Sequence, residues 1–154
     1  MAKNSITIKS YVDNREEFVA NAAITPGHLV EIMSTGKLRA HATAAGNAAK
    51  RIALEDDMQG NGVDTAYSAG NVVQTKTFLP GEKFLGILKD GETATIGSLL
   101  ESAGNGELQV VVTDYGSNIG PVYPNNIVGI AREALDLSGS SGEEPTRRLV
   151  VEVI

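Results

Sequence analysis

A chain of 154 residues fits one domain, which at that size buries roughly 68–70% of the surface its unfolded form exposes. With 42% hydrophobic residues, only 5% aromatics and no Trp, the core must be built from Val, Ile, Leu and Ala. A net charge of −6 argues against a nucleic-acid partner, and the lack of Cys excludes a disulfide framework, a thiolate nucleophile and Cys-ligated zinc.

Along the chain, 17 Gly and 5 Pro are spread out rather than gathered into a linker, which predicts many short strands joined by tight turns. Residues 5–12 alternate Ile6 and Ile8 with Thr7 and Lys9 in the two-residue period of a strand. Residues 13–20 turn from polar to apolar and suit one helical turn capped by Asp13 or Asn14. Two readings of residues 1–24 stand side by side: an extended N-terminal arm ahead of a β-rich domain at 25–154, or an ordinary first strand of that domain's own sheet.

The body opens at Thr25-Pro26-Gly27-His28-Leu29-Val30, and Ser34-Thr35-Gly36-Lys37 reverses it into Leu38-Arg39-Ala40-His41, a hairpin. Residues 42–49 are read as a small-residue loop, because Gly46 and Asn47 break the helix that the alanines would favour. Turn-then-strand phrases recur at Pro26-Gly27, Ala69-Gly70, Pro80-Gly81 and Ile96-Gly97, each placing Gly where the backbone reverses. Their uneven spacing argues against a solenoid. Asn105-Gly106 has the composition of a type I′ hairpin turn leading into the β-branched stretch 108–113. Pro121 and Pro124 bracket an extended connection to a strand near 127–135, residues 138–145 form a loop, and 149–154 are apolar enough to pair in the sheet.

Chemical motifs are weak throughout. Gly139-Ser140-Ser141-Gly142 lacks the last Gly of a nucleophile elbow, since Glu143 follows. His28 and His41 flank one hairpin without a carboxylate spacing that completes a metal or acid–base set, and they are read as ordinary surface or strand residues. Asp57, Gln59, Asn61 and Gly62 echo the start of a calcium loop, but Ser68 stands where a bidentate Glu is needed, so a solvated turn is preferred. Gly60-Asn61-Gly62 and Gly104-Asn105-Gly106 lack the third Gly of a dinucleotide loop. No catalytic residue, cofactor or metal is therefore assigned. No apolar run approaches the ~20 residues that span a bilayer, so no membrane partner is expected. Residues 1–7 lack the apolar block of a secretory signal, so synthesis in a cytoplasm is expected.

Read in order, Pro26-Gly27-His28-Leu29-Val30, Ile52-Ala53-Leu54-Glu55, the run from Val63-Asp64-Thr65 through Ala69-Gly70-Asn71-Val72, and Gly129-Ile130-Ala131-Arg132-Glu133-Ala134-Leu135-Asp136 resemble the capsid-decoration, or cement, proteins of tailed bacteriophages. The resemblance implies a mainly β fold with little helix, a small compact β-barrel or β-sandwich of β-tulip type. It also implies a structural virion protein rather than an enzyme. Such a protein would sit on the capsid outer surface, bind the major capsid protein, self-associate as a homotrimer and stabilise the expanded head by bridging neighbouring subunits. Ile6, Ile8, Tyr11 and Val12 are the candidate partner-binding residues, adding a strand to a capsid sheet edge. A tail- or fibre-associated β-domain is the alternative. A small β-barrel hydrolase or sugar-binding domain is a third reading, disfavoured by the shortage of aromatic stacking surfaces.

Overall fold

The computed structural model describes residues 4–111, 125–139 and 146–154. Its strands are β1 (Thr7–Lys9), β2 (Arg15–Val19), β3 (Val30–Ile32), β4 (Leu38–Ala40), β5 (Arg51–Ala53), β6 (Val72–Thr77), β7 (Lys83–Ile87), β8 (Thr93–Ala94), β9 (Leu99–Gly104), β10 (Glu107–Val110), β11 (Ile127–Ala131), β12 (Leu135–Asp136) and β13 (Arg148–Val153). Among the described residues the helical content is the 3-10 turn Asp57–Gln59 and the single 3-10 residue Thr146. The mainly β expectation holds. The connection marked by Pro121 and Pro124, residues 112 and 113 of the predicted strand, and most of the 138–145 loop lie outside the described residues.

The largest sheet is antiparallel, in the order β1-β7-β13-β11-β9-β10. Its middle is the C-terminal strand, where Val151 stands opposite Phe84 on one side and Ala131 on the other. Leu149, Val151 and Val153 are essentially fully buried, so the two-residue period turns one face of β13 into the main core. Gly129 makes this centre possible: a Cβ there would collide with the backbone oxygen of Glu152 on the partner strand. Beyond β7 the sheet curls, so that Leu88 forms an isolated parallel bridge with Leu108 of β10 and Lys89 N–H donates to Leu108 O at 2.8 Å. One bridge is not a continuous ladder. The fold is therefore a compact set of antiparallel sheets with a rolled edge, not a closed barrel.

A three-stranded sheet, β2-β6-β5, and the β3-β4 hairpin enclose a smaller cluster of Ala20, Ile24, Val30, Leu38, Ala53, Tyr67 and Val73. The β3-β4 hairpin and the small-residue loop after it form as the sequence predicts. So does the turn at Asn105-Gly106: both residues have positive φ, 54° and 78°, the geometry of a type I′ turn between β9 and β10.

Residues 13–20 depart from expectation. They hold no helical turn; residues 15–19 are β2, paired along their length with β6 from Arg15↔Lys76 to Val19↔Val72. Eight residues cannot sustain a helix against that long-range ladder. Asn14 caps no helix either: its Nδ2 donates to Thr77 O at 2.9 Å. Within the described part of residues 1–24, β1 pairs with β7, β2 pairs with β6, and Ile6, Ala20 and Ile24 are buried.

The four Gly-turn phrases share one construction. In each, the residue before the dipeptide accepts a hydrogen bond from the N–H just after it: His28 to Thr25, Asn71 to Ser68, Glu82 to Leu79 and Ser98 to Thr95, at 3.0–3.1 Å. The third residue has φ between 87° and 95°, the left-handed value of a type II turn that Gly adopts without strain. The fourth side chain then folds back as an acceptor for the first N–H. His28 Nδ1 takes Thr25 N–H at 3.2 Å, Asn71 Oδ1 takes Ser68 N–H at 2.8 Å, Glu82 Oε1 takes Leu79 N–H at 3.2 Å, and Ser98 Oγ takes Thr95 N–H at 3.0 Å. Each turn thus satisfies a backbone donor that the sheets leave over.

Candidate docking surface and a polar concavity

The four residues singled out for partner binding separate. Ile6 is fully buried in the main core and is withdrawn from any docking set. Ile8, Tyr11 and Val12 are 45%, 61% and 49% exposed. Strict alternation would put Ile6 and Ile8 on one face. The register of β1 on β7 shifts between Thr7 and Lys9, and that irregularity turns Ile8 outward.

Around these residues an apolar surface gathers at the free edge of the large sheet. The Tyr11 ring lies on the Pro80-Gly81 turn, where a Cβ on Gly81 would stand 3.3 Å from Tyr11 Oη, and Lys9 Nζ sits 5.1 Å from the ring centre. Gly81 N–H donates to Val153 O at 2.8 Å, which brings the end of β13 alongside. Ile154 and Leu79 there are both more than two-fifths exposed. Sequence reading missed these two, because the pairing that assembles them with Tyr11 spans the whole chain.

Beneath this surface lies a buried ion pair. Lys76 Nζ stands 2.8 Å from Glu82 Oε2, with both side chains at 2% exposure or less. It also donates to Val12 O at 2.5 Å and Asn14 Oδ1 at 3.0 Å, and lies 5.1 Å from the Phe78 ring centre. One cation thus fixes the path of residues 12–14. Burial by itself would raise the Glu82 carboxyl, but Lys76, the Leu79 N–H and the Ser10 hydroxyl outweigh it and hold the group below its ordinary range.

The other singled-out residues are structural. His28 and His41 are buried rather than on the surface: His28 caps its turn, while His41 reaches Ser102 Oγ at 2.8 Å and Asn47 O at 2.9 Å. The calcium-like segment is the 3-10 turn, with Asp56 Oδ1 accepting from Gln59 N–H at 3.3 Å and Gly60 ending it at φ 75°. Among the described residues, no group of three or more His, Cys, Asp or Glu is placed to hold a metal ion.

A concavity of about 540 Å³ opens between β2, β6 and the 3-10 turn, with Glu17, Asp56, Met58, Val72 and Gln74 among its lining. Its wall includes Tyr67, whose hydroxyl donates to Leu54 O at 2.8 Å and whose burial pushes its pKa up to about 12. The lining is more polar than that of a typical small-molecule pocket.

No protein-family model and no curated protein matches the chain. Among solved structures, the fold is similar to the crystal structure of the head fiber gp8.5 N base in bacteriophage phi29, at 11% identity and a TM-score of 0.55, over 91% of this chain and 92% of that one.

Proposed function

We propose that this chain is a structural component of a phage virion that seats on the outer surface of the head. It would bind there through the apolar edge formed by Ile8, Tyr11, Val12, Leu79 and Ile154. The observation that carries this reading is the likeness of fold, over nearly the whole length of both chains, to a head fiber base. The surface supports it: apolar side chains gathered beside an open sheet edge suit contact with another protein. In the cement form of the reading the partner is the major capsid protein, the chain is a homotrimer, and each contact after the first gains avidity by being effectively intramolecular. The head fiber likeness is equally compatible with a second form, in which the chain is an anchoring base and adds no strength to the shell.

Co-sedimentation with expanded heads stripped of their surface proteins tests the reading. Deleting residues 1–22 would be uninformative, because Ile6 and Ala20 belong to the buried clusters and β1 and β2 to the sheets. Tyr11→Ser with Val12→Ser leaves the core intact. The expected result is saturable binding by the unaltered chain and weakened binding by the double variant; absence of binding by the unaltered chain removes the head-surface reading. Heating the loaded heads separates the two forms, since a cement raises the temperature at which heads rupture and an anchoring base leaves it unchanged.

A further inference from the structure

Beneath the apolar edge, a primary amine, a carboxyl group and a carboxamide meet at one nitrogen. Lys76 Nζ stands 2.8 Å from Glu82 Oε2 and 3.0 Å from Asn14 Oδ1. Asn14 Cγ lies one C=O length beyond its oxygen, within about 4.2 Å of Nζ, close to the ~3–3.5 Å of a near-attack geometry. The three side chains come from separate stretches: Asn14 just before β2, Lys76 from β6, and Glu82 from the turn entering β7. β2 and β6 are paired with Arg15 opposite Lys76, so the sheet itself sets the spacing. Asn14 is oriented by its Nδ2, which donates to Thr77 O at 2.9 Å and leaves Oδ1 turned to the amine. Glu82 is oriented likewise, with Oε1 accepting Leu79 N–H at 3.2 Å and Oε2 facing Nζ.

A lysine in water does not attack an amide, because its amine is protonated. Here Lys76 is 2% exposed, Glu82 is fully buried, and the Phe78 ring lies 5.1 Å from Nζ. In such a dry setting, passing a proton from Nζ to Glu82 removes two buried charges at once. The same transfer frees the nitrogen lone pair and turns Glu82 into an acid.

We propose that Lys76 and Asn14 join in an intramolecular isopeptide bond, formed by the folded chain itself with Glu82 as the catalytic proton carrier. As Nζ bonds to Asn14 Cγ, the carbonyl electron pair moves to Oδ1 and Glu82 delivers its proton to Nδ2. Glu82 then takes one proton from Nζ. The oxyanion re-forms the carbonyl, the Cγ–Nδ2 bond breaks with its electron pair, and ammonia leaves. One amine and one primary amide thus give one secondary amide and ammonia, with no oxidant, reductant or co-reactant. The ion pair is the reactant state: fresh chain carries the charges, and aged chain carries the amide. The product straps residue 14 to residue 76 behind Tyr11 and Val12, and it forms whatever the apolar edge contacts.

The test is the intact mass of the full chain, followed from purification through days of incubation. It should fall by the mass of one ammonia. Trypsin should then release residues 10–15 joined to residues 52–83, because an acylated Lys76 is no longer cut. A succinimide at Asn61-Gly62 or Asn105-Gly106 also expels ammonia but joins no two peptides, so the linked peptide is the decisive signal. Asn14→Ala, at a half-buried position, should yield none. Glu82→Gln keeps the shape but cannot carry the proton, and it should slow linkage about a hundredfold or more. The linked peptide of the unaltered chain, and its loss in Asn14→Ala, test the bond whether or not Glu82→Gln folds. Chain held in urea should not link, since the reaction depends on the folded spacing. A constant mass, ammonia loss without the linked peptide, or linkage equally fast in folded Glu82→Gln or in urea would each overturn the proposal.

Discussion

The large rolled sheet and the smaller β2-β6-β5 assembly solve the same problem in different ways. The first is mostly dry: Phe84, Leu85, Leu100, Leu108, Leu149 and Val151 are fully buried, and, although Glu101, Ser102 and Arg148 are buried with them, it is mainly apolar area removed from water that holds it together. The second is built with polar parts. β2 exposes all but Phe18, while β6 buries Gln74, Thr75 and Lys76 between its neighbours.

That contrast can be tested by removing one element from each part. Lys76→Met leaves Glu82 as a buried charge without its counter-ion and should cost about 3–5 kcal/mol. Adding Glu82→Leu should restore most of it in urea denaturation, because removing both charges also removes the desolvation cost. Phe84→Ala in the dry sheet should cost a similar ~3–5 kcal/mol, but no second substitution nearby should rescue it. If Lys76→Met is no better tolerated together with Glu82→Leu, the buried pair does not distinguish the two parts.

Acid sharpens the same point. Glu82 has a folded pKa below its unfolded value, so its contribution is present above the unfolded pKa and is lost as pH falls through the lower folded one. The urea midpoint should drop on acidification below the ordinary carboxylate range, and less steeply in the Lys76→Met, Glu82→Leu variant. Alkali acts through Tyr67, whose pKa is raised from 10.0 to about 12. Its contribution is complete below pH 10.0 and lost as pH rises through about 12, so Tyr67→Phe should flatten that alkaline loss. The smallest effect belongs to the turns: Ser98→Ala removes the cap on Thr95 N–H and should cost about 0.5–1 kcal/mol in thermal denaturation.

What the sequence made legible was local. Gly27, Gly70, Gly81 and Gly97 mark real type II turns because their positions need positive φ, and Asn105-Gly106 marks the β9-β10 hairpin for the same reason. The apolar C-terminal stretch belongs in a sheet, and it becomes the central strand. Long-range pairing was not legible. Residues 15–19 carry Arg-Glu-Glu before Phe18, with no alternation to announce a strand, and only β6 makes them one. The outward turn of Ile8 depends on a register shift against β7, and the Lys76–Glu82 pair on a reversal at Gly81; neither has a signature in neighbouring residues. Of the candidate docking residues, Ile8, Tyr11 and Val12 are exposed while Ile6 is not, and the concavity was touched in the sequence only by the calcium-like segment, whose Gln59 and Asn61 line it.

The capped turns carry one more consequence. His28, Asn71, Glu82 and Ser98 share no charge, size or shape, yet each supplies the one acceptor atom its turn requires. A corner specified by an acceptor rather than by a residue type leaves its fourth position free to change identity over evolutionary time. A lineage built on such corners can keep its backbone while its spelling drifts, so that kinship survives in shape after residue-by-residue matching has faded.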